Sequence, residues 1–327
     1  MNLLAIAFLA FVSVSRATVP SNTPDWAVSM EKGNALRRAG NFSGAIVAFQ
    51  EAARMLEESE PESLAFASVL NSVATAYDDL GKPIDAERYY HRALEAAGKA
   101  AGLHSVSRAQ ILTNLASGYL HRNDLAKAEK TLKDALSIYS DLVPAGSPLV
   151  AVAQSNLAAA LLSRGALDEA DLLMEESLPV LEAGPSDHEG IYGMTLNNKG
   201  SLRWEQHRQE EAIQLYRQSL TVLESDRGAT SPALLYPLNN LASAESQSGH
   251  LQEALALFAR AVSIAETHLG PYSSLYGHLL TNYANCLKKT GHKTEAKNME
   301  ARAGAALKDN QVIGSGFTVD ISALRAR

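Results

Sequence analysis

Histidine, cysteine, serine and paired carboxylates are the side chains that could do chemistry, and their spacing here does not assemble it. The nine histidines are scattered, and none sits in HExxH or a similar ligand spacing. His91, His121 and His207 read as surface or turn residues. There is no GxxxxGK[ST] phosphate loop. Gly314-Ser315-Gly316 lacks a third glycine and a strand–helix setting, so it reads as linker. No GxSxG nucleophile elbow occurs. Cys286 is the single cysteine, which excludes an internal disulfide and a CxxC redox or zinc pair. A lone thiol is usually buried and inert. Carboxylates are abundant but have basic neighbours, as in Glu129/Lys133, whose four-residue spacing supports a helix. The expectation is no catalytic residue, no cofactor and no metal. What remains is hydrogen-bonding and apolar recognition.

The elements that would position such groups are visible as a repeat. Asn114, Asn156, Asn198, Asn240 and Asn282 recur every 42 residues. Gly40, Gly81, Asn123, Gly165, His207, Gly249 and Gly291 form a second series, with one step of 41 and five of 42. Ala45, Ala86, Ala128, Ala170, Ala212, Ala254 and Ala296 follow it five residues later. Each unit reads as two helices. The first stops at the glycine, which takes the left-handed conformation without strain. Asn123 is the next best residue for that geometry and His207 a poorer one. The second helix shows a stripe such as Ala128, Leu132 and Ala135. Its small alanine lets the two helices of a hairpin approach. The large residue four later (Phe49, Tyr90, Leu132, Met174, Tyr216, Phe258) is expected to fill the space between hairpins. Breakers such as Glu60-Pro61, Gly102, Pro144–Pro148, Gly228–Pro232 and Gly270-Pro271 separate the units.

These residues resemble the tetratricopeptide repeat, in the 42-residue form of kinesin light chains. The family pattern of Asn-Leu-Ala, then Gly, then Glu-Ala, then Ala-Leu appears as Asn240-Leu241-Ala242, Gly249, Glu253-Ala254 and Ala261-Val262. It also appears as Asn114-Leu115-Ala116, Asn123, Ala128-Glu129 and Ala135-Leu136. The implied fold is all-α: an α-solenoid of about seven helix-turn-helix hairpins in a right-handed superhelix, over residues 25–308. Lys199, Arg203 and Glu245 depart from the pattern, standing where Leu, Tyr and Tyr are usual. Lys32 and Glu300 replace apolar residues in the first and last units, which read as end caps.

The resemblance further implies that the first helices line a concave groove. On that alignment the groove carries Asn71, Thr75 and Asp78 in the second unit and Thr113, Ser117 and His121 in the third. Met194, Asn197, Ser201 and Trp204 come from the fifth, Tyr236, Asn239 and Ser243 from the sixth, and Asn285 and Lys288 from the seventh. Ser246, Gln247 and Lys289 are further groove positions. Amides can clamp a peptide backbone through both donor and acceptor. Trp204, Tyr236 and Met194 could hold an apolar anchor. Asp78 and Asp79 near one end, with Lys288 and Lys289 near the other, would orient an extended ligand. The periodic Asn114–Asn282 set reads instead as structural, each amide bonding to neighbouring backbone.

The expected function is a non-catalytic scaffold holding a peptide or protein segment. An assembly subunit of an envelope complex, acting through its convex face or tail, is the alternative, and an enzyme of unknown type the least favoured. A net charge of −7 opposes a nucleic-acid partner. The twelve uncharged residues Leu3–Val14 are too short to span a bilayer, which takes about 20. They suit a signal peptide over residues 1–17, cleaved after Ala17 and followed by a link over 18–24. Export to a periplasm or the exterior is therefore expected, with no membrane span in the mature chain. Met1 and Asn2 carry no positive side chain, so a cytoplasmic protein with an uncleaved apolar start stays open. Residues 309–327 read as a flexible or extended tail, disordered or docked through Phe317, Val319 and Ile321.

Overall fold

A computed structural model describes residues 24–184, 189–269 and 273–308. The signal segment, most of the link, the tail and Gly270-Pro271 lie outside the described residues. Among those described there are fourteen α-helices and no strand. They pair as α1 (Asp25–Arg38) with α2 (Phe42–Ser59), α3 (Leu64–Asp79) with α4 (Pro83–Ala101), and α5 (Val106–His121) with α6 (Leu125–Leu142). Then come α7 (Pro148–Arg164) with α8 (Leu167–Glu182), and α9 (Glu189–Glu205) with α10 (Gln209–Arg227). The last pairs are α11 (Leu235–Ser248) with α12 (Leu251–His268), and α13 (Ser274–Lys289) with α14 (Lys293–Lys308).

One turn chemistry makes all seven hairpins. Gly40, Gly81, Gly165, Gly249 and Gly291 all have positive φ, between 71° and 90°. Asn123 and His207 adopt the same conformation, with φ of 58° and 61°. In each unit the following residue's N–H reaches back to a carbonyl five residues earlier, as in Asp124 to Tyr119 and Arg208 to Arg203. That bond satisfies a carbonyl the helix end would leave open.

The alanine series is buried throughout. The large residue after it packs inside its own hairpin as well as beyond it. A Cβ on Gly33 would collide with the Phe49 ring, and one on Gly200 would lie 2.7 Å from Tyr216. Phe49 also shares a cluster with Val73 and Ala76 of the next unit. At these two positions the ring also needs a small residue opposite it on the first helix of its own hairpin.

Each helix packs on its hairpin mate, then on the start of the next unit. From α3 onward, successive first helices also touch one another, whereas successive second helices do not make comparable contact. Neighbours on the inside of a curve are closer than those outside, so the first helices form the inner face. Two long seams of Ala, Leu and Tyr supply most of the core, from Ala52 to Leu202 and from Trp204 to Ala306.

Two departures from the repeat pattern, Arg203 and Glu245, are buried ions with partners. Arg203 is 5% exposed and donates to Asp171 (2.6 Å), Glu175 (3.2 Å) and Gln206 (2.8 Å). Glu245 is fully buried and accepts from Arg217 at 2.7 Å, with His250 Nδ1 at 2.6 Å. Both networks tie the departing side chain to a second helix and so keep a charge in a site meant for an aromatic ring. Lys32 and Glu300, in the end units, are exposed.

Candidate functional site

The inner face is built from first helices, whose outward-pointing side chains fall at fixed places in each unit. Their burial differs sharply along the array. Asn285 and Lys288 in the last unit are exposed. Asn71, Thr75, Asp78, Ser117, His121, Met194 and Tyr236 are half-buried. Thr113, Asn197, Ser201, Trp204, Asn239 and Ser243 are buried.

The buried amides are explained by a ladder between units. Asn114 Nδ2 donates to Asn71 Oδ1 at 3.2 Å, Asn240 Nδ2 to Asn197 Oδ1 at 3.1 Å, and Asn282 Nδ2 to Asn239 Oδ1 at 2.9 Å. Each rung joins residues 43 apart, so the periodic asparagine of one unit bonds to the preceding unit's groove-position asparagine. The periodic set is structural, but its partner in these rungs is a side chain rather than backbone. Ser155 stands where an asparagine would accept from Asn198, and its hydroxyl bonds Thr195 Oγ1 at 2.5 Å instead. Thr113 Oγ1 donates to the Ala109 carbonyl at 2.9 Å. Trp204 lies in the apolar seam, with Met194 packed against it.

The charged positions also differ. Asp79 pairs with Arg37 at 2.5 Å, and Lys288 with Glu300. Asp78 is tucked under the next unit. It bonds Tyr90, and a Cβ on Gly118 would lie 2.6 Å from its Oδ2, which has no hydrogen-bond partner. Burial pushes the Asp78 carboxyl up to about 6, against the Tyr90 hydrogen bond and Arg122, which favour the ionised form. Burial lowers His121, and Asp79 nearby opposes this. Cys286 is buried, and its thiol is pushed up by the same effect, with Ser246 and Lys289 opposing. That is the setting of an inert thiol.

An open depression lies on the inner face between α11 and α13. It holds about 430 Å³ and is lined by Ser243, Ser246, Gln247, Phe258, Asn282, Asn285 and Lys289. Five of the seven come from the groove positions named above. A wider hollow of about 760 Å³ runs along α6 and the end of α7, but it is lined by paired charges, including Glu129 with Lys133 and Arg164. Its position on a second helix puts it away from the inner face. Among the described residues no cluster of His, Cys, Asp or Glu could hold a metal ion, and no helix is long and apolar enough to cross a membrane.

The family model described as tetratricopeptide repeat matches residues 65–141, 107–183, 149–225, 191–267 and 237–309. No curated protein matches the sequence. Among solved structures, the APC/C hetero-tetramer Cut9-Hcn1 superposes with a TM-score of 0.65 at 13% identity, over 86% of this chain and 46% of that one. The apo form of RapI gives 0.59 at 14% identity, over 86% and 97%. A Rap protein complexed with competence and sporulation factor gives 0.51 at 15% identity, over 86% and 97%. At such identities these likenesses speak to fold.

Proposed function

The chain belongs to the tetratricopeptide repeat family, and from that premise we propose that it is a non-catalytic scaffold holding a peptide or protein segment against its inner face. The observation that carries this is the depression between α11 and α13. It is concave and lined by six polar side chains of two successive first helices together with Phe258 of α12, whereas Asn197 and Asn239 are buried, with their side-chain oxygens given to the ladder. A rigid surface of this kind lowers the ordering cost of binding, because only the ligand must give up freedom. A Rap protein of similar fold is complexed with competence and sporulation factor, which supports a ligand-holding role for such arrays. The net charge of −7 favours a protein partner over nucleic acid.

The test is to fill the depression. Asn285 is exposed on its rim, so Asn285→Trp should plug it without touching the core. A tagged chain cross-linked in its own cells should capture a partner that the Asn285→Trp chain, with an unchanged circular dichroism spectrum and melt, loses. Equal capture by both contradicts the reading. The 42-residue period supports a kinesin-light-chain-like subgroup. The apolar run Leu3–Val14 supports export with cleavage after Ala17. The intact mass of the chain purified from its own cells, with residues 1–17 present or gone, decides the latter.

A further inference from the structure

Asp78 stands where the next three units carry Leu120, Leu162 and Trp204, all apolar and buried. Gly118, opposite it on α5, stands where the other units carry Ala35, Ala76, Ala160, Leu202, Ala244 and Cys286. The two exceptions fit one another. A Cβ at position 118 would lie 2.6 Å from Asp78 Oδ2 and 3.2 Å from its Cγ and Oδ1. The seam between the second and third units is thus notched on α5 to take a carboxyl from α3.

The surroundings of that carboxyl leave its charge poorly compensated. Tyr90 of α4, itself buried, bonds Asp78, but Oδ2 is buried and has no hydrogen-bond partner. The two guanidinium groups nearby are engaged elsewhere. Arg37 of α1 pairs with Asp79 at 2.5 Å. Arg122, just beyond α5, pairs with Glu87 of α4 at 3.3 Å and donates to the Pro83 carbonyl at 3.1 Å. Asp79 on α3 and Glu87 on α4 add negative charge, and burial favours the neutral form of His121 on α5. A carboxylate with a dry oxygen is costly, and the neutral acid much less so. Burial accordingly raises the Asp78 carboxyl to about 6. Once it is ionised, the charge is relieved when water reaches Oδ2, and the wall that bars water is the α5 backbone at Gly118. Each unit of a stacked array touches only its neighbours, so one seam can yield without disturbing the rest.

We propose that the seam between the second and third units is a pH-responsive joint: with Asp78 neutral, Gly118 seats on its carboxyl and the two units close; with Asp78 ionised, water enters and α5 lifts from α3, so that the inner face straightens at that point. The joint does not depend on what the inner face holds, and its test uses no ligand.

Nitroxide labels at Ser68 of α3 and Gln110 of α5, both exposed, read the seam in a full chain carrying Cys286→Ala, alanine being the residue of four other units at that position. Dipolar broadening should place the pair farther apart at about pH 7.5 than at about pH 5, reversibly, with a midpoint at about 6. Asp78→Asn cannot ionise and should hold the shorter separation throughout. Gly118→Ala fills the notch and should give the longer separation at both values, with its helical circular dichroism kept. His121→Gln removes the imidazole of the same seam and should leave the transition in place. A separation that is constant with pH, one that shortens as the pH rises, or a transition that survives in Asp78→Asn overturns the joint. A transition abolished by His121→Gln assigns the titration to the imidazole and overturns it as well. Gly118→Ala carries the test if Asp78→Asn does not fold, since a short separation at about pH 5 in that variant contradicts the seated geometry.

Discussion

Asn197 and Asp78 show what a single groove-position side chain can be asked to do. Asn240 gives its amide to Asn197 of the preceding unit, and Asn197 is fully buried by that contact. Its Oδ1 is taken by that bond and its Nδ2 is buried, so burial keeps it from a ligand. Asp78 is a strained guest, since its carboxyl is raised from 3.8 to about 6 by burial. Below pH 4 the group is neutral in both folded and unfolded chains. Between pH 4 and 6 the unfolded chain gives up the proton first, so stability is lost as the pH rises through the folded value. The loss is on the order of 2 kcal/mol after allowing for partial exposure. Asp78→Asn should therefore raise the urea midpoint at pH 7.5 and flatten its fall between pH 4 and 6. A midpoint that falls on substitution, with the pH slope intact, would show that the ionised form is the stabilising one. Asn197 and Asp78 were both legible as groove positions in the repeat alignment. Their removal from the open face was not, because it depends on which side chain of the next unit comes to lie 43 or 40 residues away (Asn240 for Asn197, Gly118 for Asp78).

At the scale of the element, the hairpin turn is where sequence and structure agree most closely. A left-handed residue is required once per unit, and five of the seven are glycine. Asn tolerates that conformation through its short polar side chain, whereas histidine pays a steric cost of about 1–2 kcal/mol. His207 is exposed, so little packing is lost on removing its ring. His207→Gly should move the urea midpoint upward by an amount worth about 1 kcal/mol, and Asn123→Gly by less. An unchanged or lowered midpoint for His207→Gly would mean that the ring contributes something the turn geometry does not reveal. Helices α9 and α11 show the opposite case. Arg203 and Glu245 break the repeat pattern, and reading along the chain marks the break without its remedy. The remedy comes from α8, where Asp171 and Glu175 lie, and from α10, which brings Arg217. Those partners sit 28 to 32 residues away on neighbouring second helices, a relation that only the packed solenoid supplies.

The whole molecule is a one-dimensional object. Every strong contact joins sequence neighbours or successive first helices, so the inner face is a consequence of stacking rather than of any one residue. Its architecture was readable because two residue series stay in step over seven units and a third over five of them. The place where it stays open was not, because openness depends on where the asparagine ladder ends and on how the last helices leave Asn285 and Lys289 exposed. On the proposed reading of the inner face, ligands meet the first helices and not the second. A photo-cross-linking amino acid at Asn285, on the inner face, and another at Leu172, exposed on α8 of the outer layer, tests this in the intact chain. A partner adduct is expected from position 285 and none from 172. An adduct formed from 172 alone would place recognition on the convex side and contradict it.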